Sequence, residues 1–215
     1  MMEKEKKEIV RVAKMLLEKG MLFGSWGNIS IFNGSKIAIT PTAVPYEKMK
    51  ASDIAVISLS GKQIEGREKS TEWRMHAEIY RMGKHRAVAH LHSPYASAFS
   101  VLRKRVKCRT EDAVQLIGES ISVAPYHLTG TRDLAFAVAH SMEKHNSNAV
   151  IMANHGLVAA GRNLHEAWMT ALVAEKACMI EAVASKIGRP KEIPKRERMA
   201  LAEKFSEYSK KLFGP

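Results

Sequence analysis

The chain has 215 residues, 46% of them hydrophobic, and a mean hydropathy of −0.21. That composition suits one substantial core or two small ones, and no apolar run approaches the ~20 residues of a membrane-spanning helix. The 34 Lys and Arg against 22 Asp and Glu leave a net charge of +12, which raises the question of an acidic or phosphorylated partner.

The opening MMEKEKKEIVRV has neither the apolar stretch nor the cleavage site of a signal peptide, so the expected compartment is the cytoplasm. Cys108 and Cys178 have no CxxC spacing and are expected as packing residues, not a disulfide. Much of the positive charge sits in RKRVKCR (103–109) and RPKEIPKRER (189–198). The second run contains Glu192 and Glu197, and neither is interleaved with aromatics. Both read as solvated faces, and no nucleic-acid partner is expected.

In chain order, residues 3–19 form an amphipathic helix, with Ile9, Val12, Ala13, Leu16 and Leu17 near one face and Gly20 as the stop. Short strands follow at Ile29–Phe32 and Lys36–Thr40, then DIAVISL and KQIEG around a turn at Gly61. Ser70 and Thr71 begin a helix through STEWRMHAEIYRMG, and RAVAHLH is a buried strand leading into a helix near 93–102. SISVAPY is a strand, TRDLAFAVAHSMEKH a helix, NAVIMA a core strand and HGLVAAG its continuation as strand. Helices over about 163–187 and 191–211 close the chain. No repeat, low-complexity tract or flexible linker divides it. The pattern predicts one α/β domain over residues 1–215, a central mostly antiparallel sheet flanked by helices, with a C-terminal helical segment from about 191 to 215.

His90 and His92 stand at i and i+2 of an extended segment, on one side of the strand. His155 leaves a second apolar strand just before Gly156. Three imidazoles converging from two strands would leave a position open for water or substrate, the pattern of catalytic zinc, although any one histidine alone is more often structural. Glu72, in the first turn of its predicted helix, suits the helix dipole and is also a candidate acid/base group or metal ligand. Asn28 in a glycine-rich turn, Thr42 and Ala43 in TPTAVPY, and Ser70 and Thr71 at a helix start are small donors of the kind that hold a phosphate.

GNIS, TPT…PYEK, STEWRMH, AVAHLHSPYA, APYHLTGTRDLA and NHGLVAAG occur in this order and spacing. With them the sequence closely resembles the class II aldolase family of the fuculose-phosphate type, from about Glu8 to residue 186. STEWRMH and HLH are its sharpest motifs.

The resemblance implies a three-layer fold and a catalytic zinc on His90, His92 and His155, one ion per subunit, with another divalent metal as the alternative. It makes Glu72 the acid/base residue, also able to touch the metal, and gives Asn28, Thr42, Ala43, Ser70 and Thr71 the phosphate of dihydroxyacetone phosphate. It implies a cyclic homotetramer with active sites between subunits and no membrane partner. The expected reaction is reversible cleavage of a deoxy-ketose 1-phosphate, most simply L-fuculose 1-phosphate, to dihydroxyacetone phosphate and L-lactaldehyde.

Two positions bear on the aldehyde side. Glu111 stands where the family has a tyrosine that assists proton transfer at the aldehyde oxygen. Phe205 and Tyr208 match the spacing of two aromatics that help close the aldehyde pocket, though an amphipathic helix end reads equally well. Because related phosphosugar dehydratases use a glutamate near Glu111, a methylthioribulose-1-phosphate-type dehydratase is the alternative. A pentulose-phosphate 4-epimerase ranks lower, since those sequences have Asp where this one has Glu72.

Overall fold

Helix α1 (Glu3–Glu18) forms because Ile9, Val12, Ala13 and Leu16 recur at helical spacing, and all four are fully buried. The computed structural model describes residues 2–213, except the side chains of Ala202, Ser206, Glu207, Tyr208, Lys210, Leu212 and Phe213. After α1 come strands β1 (Asn28–Phe32), β2 (Lys36–Ile39), β3 (Ala55–Ser58) and β4 (Gln63–Glu65), helix α2 (Trp73–Arg81), β5 (Ala87–Leu91) and α3 (Pro94–Leu102). The chain continues through β6 (Val106–Lys107), α4 (Glu111–Ile117), β7 (Ser120–Ala124), α5 (Arg132–Lys144), β8 (Ala149–Met152), β9 (Gly156–Gly161), α6 (Leu164–Ile187) and α7 (Lys195–Phe213).

The nine strands form one sheet in the order β4-β3-β2-β1-β5-β9-β8-β7-β6. Every neighbouring pair is antiparallel except β7 with β8, so the expected mostly antiparallel α/β domain is present. Helices α2 and α5 pack on one face with Val88, Val150 and Val158, and α1 and α6 on the other with Ala87, Ala89 and Ala159. With both faces covered, β5, β8 and β9 are buried at every position, which is why they read as unbroken apolar runs. Alternation along the strands turns Asn28 and Ser30 of β1 and Val88 and His90 of β5 toward the α2 side, where Asn28 pairs with His90 and Ser30 with Val88.

Four elements differ from expectation. The strand β6 has only two residues, too few for any period to show inside RKRVKCR, and α4 and a 3₁₀ turn at Ala51–Asp53 are comparably short. Helix α2 starts one residue later than its motif suggests, so Glu72 is the residue before the helix, not part of its first turn.

The basic runs are held by acids. Arg109 makes a two-pronged contact to Glu181 on α6, at 2.5 and 3.1 Å, Lys107 pairs with Glu192, and Arg198 donates to Glu192 at 2.9 Å. These pairs pin the segment between α6 and α7 to the body of the domain. Cys108 and Cys178 are free and buried in the same apolar cluster, as expected of packing residues. No helix among the described residues is long and apolar enough to cross a membrane.

His85, between α2 and β5, is 2% exposed, and its Nε2 has no hydrogen-bond partner among the described residues. Burial, reinforced by the charge of Lys84, pushes its imidazole down to about 4. The unfolded chain therefore binds the proton first, and the stability carried by neutral His85 is present above ~6.5 and lost as pH falls toward 4. Acidification from pH 7 to pH 5 should cost about 1–2 kcal/mol through this residue. Thermal melts at both pH values should show a smaller acid-induced drop in Tm for His85→Leu than for the parent chain.

Candidate active site

The site lies where β5 ends and β9 begins. His90, one residue before the end of β5, is fully buried, and its Nδ1 lies 3.0 Å from the Leu157 carbonyl of the paired strand, to which it donates. That bond fixes the tautomer and turns Nε2 toward Glu72 Oε2, 3.2 Å away. His92 follows the strand, with its Nε2 3.1 Å from that of His90. His155 ends the β8–β9 turn, with Asn154 in the left-handed region at φ 53°, and puts Nε2 3.6 Å from Glu72 Oε1. One ligand atom from each of the three histidines lies within 4.8 Å of the others.

Two neighbours set this geometry. A Cβ on Gly156 would stand 2.4 Å from the Leu91 carbonyl oxygen and 3.3 and 3.4 Å from the rings of His90 and His92. Only glycine lets β9 approach the two imidazoles this closely. On the other side Glu175 of α6 accepts from Ser93 Oγ (2.7 Å) and from the backbone N–H groups of Tyr95 (2.7 Å) and Ala96 (2.8 Å). A carboxylate from another helix thus caps α3 directly after His92 and Ser93.

The Glu72 side chain makes no cap bond to its own helix. It is 6% exposed and accepts from Asn28 Nδ2 at 2.8 Å and from Thr129 Oγ1 at 3.0 Å. Burial works against its charge, but His90, His155 and Asn28 outweigh burial and hold the carboxyl well below the usual range. For His90 burial is again overridden, here by Glu72, and the imidazole is pushed up. Burial and the nearby His90 push His92 down to about 3 and His155 to about 4, so both are neutral nitrogen donors at pH 7.

The chemistry of this donor set fits a divalent cation. Three imidazole nitrogens face one point beside a carboxylate, and a cation there would replace the proton that otherwise couples His90 to Glu72. His90, His92 and His155 would hold it, with Glu72 in reach.

A cleft of about 500 Å³ opens from this cluster. All five expected phosphate residues line it: Asn28, Thr42, Ala43, Ser70 and Thr71. Their loops meet through the Pro41–Lys69 bridge, Thr42 N–H to the Glu68 carbonyl (2.9 Å) and Ser70 N–H to the Thr40 carbonyl (3.3 Å). Ala43 sits at φ 56°, a left-handed conformation that ordinarily favours glycine, which aims its backbone N–H within a tight loop.

Glu111 and Phe205 do not join this cluster. Glu111 is exposed on the first turn of α4 and does not line the cleft of its own chain. Phe205 on α7 packs half-buried against the apolar cluster of α4 and α6, and the Tyr208 side chain lies outside the described residues. Thr129, His76 and Glu175 were not anticipated. Thr129 sits in APYHLTGTRDLA and His76 in STEWRMH, four residues after Glu72, so both were visible as motif letters without an assigned role.

Comparison with known proteins identifies the family. The family model for the class II aldolase and adducin N-terminal domain matches residues 7–182. The chain belongs to this family. It is 35% identical over 97% of its length, and 98% of the relative's, to the 5-deoxy-D-ribulose 1-phosphate aldolase of Bacillus thuringiensis serovar kurstaki. It is 32% identical over 96% of its length, and 97% of the relative's, to the L-fuculose phosphate aldolase of Escherichia coli K12. A solved L-fuculose 1-phosphate aldolase superposes with a TM-score of 0.90 at 33% identity, covering 94% of this chain and 96% of that one. The chain is a class II aldolase, a lyase of a metal-dependent class, and the three-histidine cluster is consistent with that dependence.

Gly156→Ala tests the close approach. It should destabilise the fold by about 1–3 kcal/mol and weaken divalent-metal binding at least about tenfold, read by calorimetric titration of the chelator-treated protein with zinc as the probe.

Proposed function

We propose that the enzyme reversibly cleaves a deoxy-ketose 1-phosphate to dihydroxyacetone phosphate and a short aldehyde. The observation that carries this reading is the division of one cleft: an ionised carboxylate among three imidazoles at its inner end, and small hydroxyl and N–H donors on adjoining loops beside it. L-Fuculose 1-phosphate, giving L-lactaldehyde, is the favoured substrate. 5-Deoxy-D-ribulose 1-phosphate, giving acetaldehyde, is the second, because a relative with that name is 35% identical over nearly the full length. The two share C1 to C3 and differ only beyond the bond that breaks.

Asn28, Thr42, Ala43, Ser70 and Thr71 hold the phosphate and orient the three-carbon end, converting binding into proximity. His90, His92 and His155 would hold the cation, zinc in this reading, which when bound would supply Lewis-acid stabilisation for the negative charge that develops on the substrate. In synthesis Glu72 removes a proton from C3 of dihydroxyacetone phosphate. The electron pair left there forms the C3–C4 bond with the aldehyde carbon, and a proton ends on the C4 oxygen. Cleavage reverses each step: the C4 hydroxyl loses its proton, C3–C4 breaks, and Glu72 returns a proton to C3. Thr129 and Asn28 keep the carboxylate oriented for this transfer.

The aldehyde end needs more than one chain. Trp26, Tyr126 and Leu128, 67%, 54% and 66% exposed, rim the cleft, while Glu111 lies on α4 and Phe205 and Tyr208 on α7, which packs against it. In a homotetramer with sites between subunits, a neighbour's α4–α7 corner would close the cleft.

Release of dihydroxyacetone phosphate from each ketose phosphate, coupled to glycerol-phosphate dehydrogenase, tests the reading. Release should stop with chelator and return with zinc. Glu72→Gln should lower kcat by about 10²–10⁴-fold while keeping most of the metal. No release from either substrate by metal-replete enzyme would contradict the proposal.

A further inference from the structure

Behind Glu72 and Asn28, away from the cleft, lie three buried polar side chains, His76, Ser30 and Tyr80, that neither phosphate binding nor metal binding explains. Asn28 Oδ1 is 2.5 Å from His76 Nε2, His76 Nδ1 is 2.6 Å from Ser30 Oγ, and Ser30 Oγ is 2.5 Å from Tyr80 OH. His76 and Ser30 are fully buried, and Tyr80, Asn28 and Glu72 are at most 6% exposed. Four uncharged polar side chains in an apolar layer are costly unless every one is paired, and this set is fully paired.

The direction of each bond follows from the one before it. The ionised Glu72 carboxylate can only accept, so Asn28 must present its Nδ2 amide to it. That leaves Oδ1 facing His76 Nε2, which must carry the ring proton. Burial and the charge of His90 push His76 down to about 3, so the ring is neutral and its Nδ1 is an acceptor. The single Ser30 hydroxyl proton goes to that Nδ1, and Tyr80 donates to Ser30. All four donors point the same way, toward Glu72. The backbone permits this because Ser30 and Asn28 share one face of β1, and His76 and Tyr80 are four residues apart on α2.

We infer that His76, with Ser30 and Tyr80 behind it, is a positioning residue that fixes the orientation of the Asn28 amide and through it the aim of the Glu72 carboxylate. A reversed Asn28 would set its carbonyl oxygen against the carboxylate and leave His76 facing an amide donor with a donor of its own. The array excludes that state.

The inference rests on Glu72 as the acid/base group, and two measurements separate it from that reading. On the intact chain, zinc-loaded and metal-free, ¹⁵N NMR of the histidine rings, with His76 assigned by its loss in His76→Gln, should show the neutral Nε2–H tautomer. An Nδ1–H tautomer overturns the inference whether or not the protein is active on ketose phosphates.

In the coupled assay His76→Leu should lose about tenfold to a hundredfold in kcat, with KM within about twofold and full zinc content. His76→Gln, which can donate to Asn28 and accept from Ser30, should recover most of that loss. Tyr80→Phe, two bonds further back, should cost only about twofold. Wild-type kcat in His76→Leu, or a folded His76→Gln as impaired as His76→Leu, overturns the inference. If the parent chain releases no triose phosphate at all, the reaction assignment fails and the tautomer alone decides this point.

Discussion

The structure depends on how closely β9 lies against β5. The two strands pair from Ala87 with Gly161 to Leu91 with Leu157, and the end of that ladder is where His90, His92 and His155 gather. Any side chain at Gly156 would collide with the Leu91 carbonyl before the imidazoles could meet. The His90–Leu157 bond then sets which nitrogen faces inward. Metal chemistry in this fold is therefore a consequence of backbone spacing, and the ladder holds because α1, α2, α5 and α6 bury both of its faces.

Glu72 joins that ladder to the reaction. It sits one residue ahead of α2, and its carboxylate gives up helix capping to face His90 and His155. Such a buried charge is stable only if its oxygens are paired, and Asn28 and Thr129 pair one each. The same contacts that make the charge tolerable fix its direction. The hydrogen-bond array running back to Tyr80 orders the wall of the cleft, and under the proposed reaction it also aims the group that moves the proton.

Most of this was legible in the sequence where a pattern was long or a motif dense. The buried strands AVAHL and AVIM and the stripe of α1 announce themselves by periodicity, and the HxH spacing together with His155 marks the cluster. What stayed hidden was short or long-range. Two residues of β6 carry no period, and α4 is seven residues within a charged region. Glu175 is some 80 positions from the backbone it caps, and no local rule connects them. His76 was visible as the last letter of STEWRMH, but its partners lie on a strand more than 40 residues earlier. Glu111 and Phe205 matched positions in a motif, yet position in a motif does not place a side chain in the cleft of its own chain.

The central claim is that His90, His92 and His155 together hold one catalytic cation while Glu72 acts beside it. Metal stoichiometry by inductively coupled plasma mass spectrometry, on the parent chain and on His90→Ala, His92→Ala, His155→Ala and Glu72→Gln after dialysis against a weak chelator, tests it most directly. The account predicts about one zinc per chain in the parent and in Glu72→Gln, and well under half in each histidine variant. Full metal retained in a folded His92→Ala, or metal lost only with Glu72→Gln, would contradict it.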